Sequence, residues 1–157
     1  MSKSLFENII MEEDRADFLD NISILERQLF DVKTSPLHKI KNVLGKNGYE
    51  VFDFEAKKEK INISDPVEVG EFVRRLKRNL VSFPTATISV AFFPTREFVS
   101  QVSFWIERNF NKKIILKIVV DVNVAGGAQI SYNGLYKDYS LRSLIDGFVE
   151  KRGGNIL

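Results

Sequence analysis

The chain has 157 residues, 44% of them hydrophobic, no cysteine and a net charge of +2. Such a content excludes general disorder and suffices for one domain, or a small domain with an appendage. The lack of cysteine excludes disulfides and thiolate metal sites and agrees with a reducing compartment. The near-neutral total hides an asymmetry: residues 1–32 carry eight acidic and three basic side chains, residues 33–80 seven and eleven, and residues 81–157 six and nine. So modest a basic excess is a weak nucleic-acid signal. No apolar run approaches the ~18 residues of a membrane span, and Met1-Ser2-Lys3-Ser4 carries no secretory pattern, so a cytoplasmic location is expected.

Phe18, Ile22, Leu25, Leu29 and Val32 keep the a/d rhythm of a helix seam and predict a helix over about 12–32, packing at home or against another subunit. Thr34 or Ser35 can cap a second helix over about 35–44, with Pro36 at its first position and Gly45 at its end. Val51-Phe52-Asp53-Phe54, and then Ile61 and Ile63, alternate with polar neighbours, which predicts a short hairpin over about 49–64. Asp65 and Pro66 supply the N-cap and first-turn proline of a helix over about 66–80. Its inner side is Val69, Phe72, Val73, Leu76 and Leu80. Its other side, Arg74, Arg75, Lys77 and Arg78, either stays solvated or meets an acidic partner. Residues 1–84 thus read as a mostly helical region.

Phe83-Pro84 marks a break, and Thr85 to Phe93 reads as a strand ending at Pro94. Thr95 can cap a helix over 96–110 whose apolar stripe is Phe98, Val99, Val102, Trp105, Ile106 and Phe110. Phe104 lies nearly opposite that stripe, either as a harmless surface residue or as an anchor for a partner helix. The continuous β-branched run Ile114–Val120 suits a strand buried on both faces. Gly126-Gly127 then opens a strand through Tyr132, and Asn133-Gly134 is a strong type I′ hairpin signal. Asp138 or Ser140 can cap a last helix bearing Leu141, Leu144, Ile145 and Phe148 on one face. The fold expected is α+β: a helical N-terminal part with a short hairpin, then a small mixed-sheet β-α-β-β-α domain over residues 85–157.

Little here reads as catalytic chemistry. His38 is the only histidine, which leaves neither a metal site nor a nucleophilic triad much to stand on. Asp121 and Asp138 sit at element ends and read as caps rather than an acid/base pair. Gly126-Gly127 lacks phosphate-loop spacing and leads into a strand, so a structural bend is expected. The strands lack the interleaved aromatic and basic residues of an RNA-stacking sheet. No catalytic residue, metal, cofactor or nucleic-acid partner is expected.

From about Thr87 to Glu150 the chain resembles the C-terminal domain of the δ subunit of the bacterial F-type ATP synthase, a relative of the oligomycin-sensitivity-conferring protein. The resemblance rests on a set of residues in order. These are Ser89-Val90-Ala91-Phe92-Phe93-Pro94, Lys112-Lys113-Ile114-Ile115-Leu116, Asp121, Gly126-Gly127-Ala128-Gln129-Ile130, and Asp138-Tyr139-Ser140-Leu141-Arg142. It implies a non-catalytic subunit of the peripheral stalk, bound peripherally at the cytoplasmic face of the membrane. Its partners would be the C-terminal helices of the b-type subunits and the N-termini of the α subunits. The family's N-terminal domain is a larger helical bundle than residues 1–84 can make, so stalk binding carries over more directly than head binding. A stand-alone adaptor or nucleic-acid-binding α/β module, and an enzyme, are the other classes open at this point.

Overall fold

A computed structural model describes residues 5–31, 33–124, 126–141, 143 and 146. Helices dominate up to Phe83 and a four-stranded mixed sheet follows Pro84, so the class is α+β with a helical N-terminal part. The chain divides at that point into two units, Met1–Phe83 and Pro84–Leu157.

In the first unit, α1 (Leu5–Asn8) precedes α2 (Glu12–Gln28). The Asp14 carboxylate closes the start of α2 by accepting the Ile10 and Met11 N–H groups at 3.2 and 3.0 Å, and a negative charge there also suits the helix dipole. Ile22, Leu25 and Leu29 are buried. The helix stops at Gln28, short of the expected residue 32, and Val32 lies outside the described residues. Just beyond its end the buried Lys39 ammonium donates to the Leu29 carbonyl at 3.1 Å and to the Asp31 carbonyl. A cation thus satisfies carbonyl groups left over at the helix C-terminus.

The next helix, α3 (Pro36–Lys58), is capped by Ser35, whose hydroxyl accepts the His38 N–H at 3.3 Å. Gly45, at φ +65°, interrupts it, and the helix then resumes. The hairpin expected over 49–64 is therefore absent. Phe52, Glu55 and Ala56 form one buried line at helical spacing, and a four-residue alternation does not outweigh that period. No glycine marks its end. Lys60 takes the left-handed position at φ 58°, while Ile61 N–H reaches Ala56 O at 2.8 Å and Lys60 N–H reaches Lys57 O at 3.1 Å, a Schellman stop.

Asp65 accepts the Val67 N–H at 2.8 Å and starts α4 (Pro66–Ser82). Val69, Phe72, Val73, Leu76 and Leu80 are buried, and the Phe72 ring meets Phe52 edge to face at 5.1 Å. Each such burial contributes about 1.5–3 kcal/mol, so this one face holds much of the unit together.

The second unit runs β1 (Thr85–Val90), α5 (Arg96–Phe110), β2 (Ile115–Val120), β3 (Ala128–Tyr132) and β4 (Leu135–Asp138). The sheet order is β2-β1-β3-β4, with β1 parallel to β2 and antiparallel to β3. In β1, Ala86, Ile88 and Val90 are buried and alternate with half-buried Thr85, Thr87 and Ser89. Their register partners Leu116, Ile118 and Ile130 share that face. Although its sequence suits burial on both faces, β2 is an edge strand with Lys117 and Val119 exposed. Asn133 and Gly134 both take positive φ, 49° and 75°, the type I′ geometry that joins β3 to β4. Thr95 caps α5 by accepting the Phe98 N–H at 3.3 Å. After β4, Asp138 accepts the Ser140 N–H at 2.8 Å and Ser140 the Ser143 N–H at 3.3 Å. Leu141 is helical, but Leu144, Ile145 and Phe148 of the expected stripe lie outside the described residues.

Candidate partner-binding surface

The buried line of α5 is Val99, Ser103 and Ile106, at i, i+4 and i+7. Phe98, Trp105 and Phe110, assigned to the core by periodicity, are instead at the surface. They pair there: Phe98 stands edge to face with Phe92 at 5.5 Å, and Trp105 with Phe110 at 6.5 Å. The helix is turned so that Ser103 faces inward, and its buried hydroxyl has no hydrogen-bond partner among the described residues. Phe104 is 62% exposed, with the Arg108 guanidinium 5.9 Å from its ring.

This rotation opens an apolar groove of about 240 Å³ between α5 and the β3–β4 hairpin. Trp105, Ile106 and Phe110 line it from α5. The hairpin contributes Ile130 and Tyr132 from β3 and Leu135 and Lys137 from β4. Tyr132 and Leu135 are register partners, and Lys137 opposes Ile130, so the alternation of the two strands puts all four on one face. That part was legible in advance, because Asn133-Gly134 sets the register. The helical wall was not, since an apolar helix residue carries no mark saying whether its own sheet covers it.

Gly126 and Gly127 hold the far end of the hairpin. Both have positive φ, and a Cβ on Gly127 would lie 2.2 Å from the Tyr139 carbonyl oxygen. The Gly126 carbonyl accepts the Leu141 N–H at 3.1 Å, tying the chain after β4 to this bend. Asp65 and Thr95 cap α4 and α5, Ser140 accepts the Ser143 N–H, and Asp138 accepts the Ser140 N–H one step earlier. Asp121 accepts both the backbone and the side-chain N–H of Asn123 at 2.9 Å, closing a turn.

The basic residues of α4 are mostly engaged. Arg74 donates to the Gly70 carbonyl at 3.3 Å, Arg75 pairs with Glu59 at 2.9 Å, and Lys77 with Glu26 at 3.7 Å. Arg78 is exposed and unpaired among the described residues. Titration is shifted at Lys57, raised by its hydrogen bond to Asp53, and at Tyr136, raised by desolvation and then by Asp138 and Asp121. Neither side chain lines the groove. Among the described residues no cluster of His, Asp or Glu could hold a metal ion, and no helix is long and apolar enough to cross a membrane. The chain matches no protein-family model, and no curated protein matches it.

Proposed function

We propose that the protein is a δ-like, non-catalytic subunit of the peripheral stalk of an F-type ATP synthase, holding the C-terminal helix of a b-type subunit. The observation that carries this reading is the aromatic surface of α5, where Phe104, Trp105 and Phe110 are all more than half exposed. Large aromatic side chains left at a surface are what protein partners bury, and they dominate interface energies. The polar groups near them, Arg108 and the Lys113–Glu107 ion pair, have the makings of an interface rim rather than a reaction centre. The residue set behind the resemblance also converges in one unit: the strand before Pro94, the Lys112-Lys113 strand, the glycine bend and the Asp138/Ser140 cap all belong to Pro84–Leu157. A subunit of this kind resists torque, so it works through a stable contact rather than a poised side chain.

The test is recovery of a tagged chain from detergent-solubilised native membranes. The b-type subunit is expected to come with it in stoichiometric amount, along with the catalytic head. Recovery of the chain with no synthase subunit overturns the reading.

A further inference from the structure

The groove beside α5 limits what can occupy it. Its volume, about 240 Å³, is below the ~300–1,000 Å³ of sites that enclose a small molecule. Its lining is apolar apart from Lys137 and two tyrosines, without the convergent polar groups that orient a substrate. A trough of that size between a helix and a hairpin fits a few large side chains from one face of a helix.

Charge narrows the choice further. Lys137 lines the groove, and the Lys112 ammonium stands 5.5 Å from the ring centre of Tyr132, which also lines it. Neither lysine is in an ion pair among the described residues. The carboxylates close in sequence are engaged elsewhere: Glu107 is held by Lys113 at 2.6 Å, and Asp138 alternates to the other side of β4, where it accepts from Gln129 and Ser140. Two cations without an ion-pair partner among the described residues therefore border an apolar floor.

We propose that the groove takes an amphipathic helix of another protein, its apolar stripe against Trp105, Tyr132 and Leu135 and its flank acidic residues facing Lys112 and Lys137. This occupant rests on the stalk-subunit reading only for which protein supplies the helix. Phe104 is not part of the groove lining, so the two surfaces can be broken separately.

Trp105, the only tryptophan in the chain, stands on the wall of the groove and reports its occupancy. The full-length protein is titrated with two synthetic tryptophan-free helices that share one leucine stripe, one with glutamate flanks and one with lysine flanks. The acidic helix is expected to shift Trp105 emission to shorter wavelength in a saturable way, binding at least about tenfold tighter than the basic one. The preference narrows at high salt, since exposed charges are screened. Leu135→Asp, at a site 71% exposed, abolishes the shift, and Lys112→Glu with Lys137→Glu reverses the preference. If Leu135→Asp lowers the melting temperature, the charge-reversal pair carries the test alone.

Equal binding of the two helices, or a preference unmoved by charge reversal, overturns the proposal. A saturable shift with palmitate but neither helix assigns the groove to an acyl chain, and a shift produced by protein concentration alone assigns it to a second copy. Both outcomes also overturn it. No synthase component enters this titration. A positive result beside failed recovery from membranes overturns the stalk reading alone, and the converse overturns the groove proposal alone.

Discussion

In the first unit the rings of Phe52 and Phe72 are fully buried against each other, whereas no described aromatic residue of the second unit is fully buried, Tyr132 being half-buried and the rest exposed. The core of the second unit is aliphatic, with Ala86, Ile88, Val90, Val99, Ile106 and Leu116 among its members. Phe93, Phe104, Trp105 and Phe110 stay outside. Aromatic side chains bury the most area per residue, so they stabilise strongly whatever they are packed against. In one unit that is the chain's own interior. In the other, the largest apolar groups are left for something else to cover, while small aliphatic residues hold the sheet.

The comparison breaks most sharply at the bend that organises the second unit. Gly127→Val places a branched side chain where even a Cβ would lie 2.2 Å from a backbone oxygen, at φ +76°. A loss of about 4 kcal/mol or more is expected, or no folded unit, because neither the backbone nor the strand behind it can yield cheaply. Trp105 emission during urea unfolding reads this directly, and an unchanged midpoint would show that the bend is not a structural requirement. Next comes Phe72→Ala in the first unit, where removing a fully buried ring should lose about 3–5 kcal/mol. Far-UV circular dichroism, to which the long helices contribute most, is the measurement, and a loss under about 1 kcal/mol would mean the site collapses around the gap.

How much of this could be read in advance differs between the same two units. The caps at Asp65, Thr95 and Ser140 and the Asn133-Gly134 turn were legible, because each depends on one or two residue types with a local backbone role. The second half of α3 was not. Its four-residue alternation imitates a strand, and its stop uses Lys60 in a position that glycine usually marks. Lys39 reaching back to the end of α2 depends on how two helices pack, which no local pattern encodes. The turn of α5 is hidden for a related reason: with apolar residues at seven of its 15 positions, spread round the helix, it has several nearly equivalent faces, and the sheet selects the one with Ser103 inward. The groove, a consequence of that choice, went with it.

Ser103 offers a smaller and opposite effect. Its hydroxyl is buried without a partner among the described residues, and an unsatisfied buried hydroxyl is destabilising by about 1–3 kcal/mol relative to one that is satisfied. Ser103→Ala removes the orphan and keeps nearly the same volume, so a gain of about 1 kcal/mol is expected. The rise would appear in the Trp105 unfolding midpoint. A fall would mean that the hydroxyl is satisfied in solution and that the inner face of α5 is more polar than its aliphatic neighbours suggest.

Phe104→Ala should have the least effect on stability and the most on function. The ring is 62% exposed, and its one aromatic contact among the described residues is with Arg108, a cation near the ring face at an exposed site. Losing it should move the melting temperature of the isolated protein by no more than about 0.5 kcal/mol of stability implies, against several for Phe72→Ala. If the ring anchors the b-type helix of the proposed stalk, affinity for a peptide from that subunit's C-terminus should fall at least about tenfold, or 1.4 kcal/mol. Calorimetry separates the outcomes. Unchanged stability with weakened binding places a binding anchor on the outer face of α5. Equal affinities would leave Phe104 merely exposed and move the contact to the groove side, where Leu135→Asp would have to abolish it. Lost stability would mean that the outer face is covered by the chain itself, and the contrast between the two units would fail at the very residue where it is strongest.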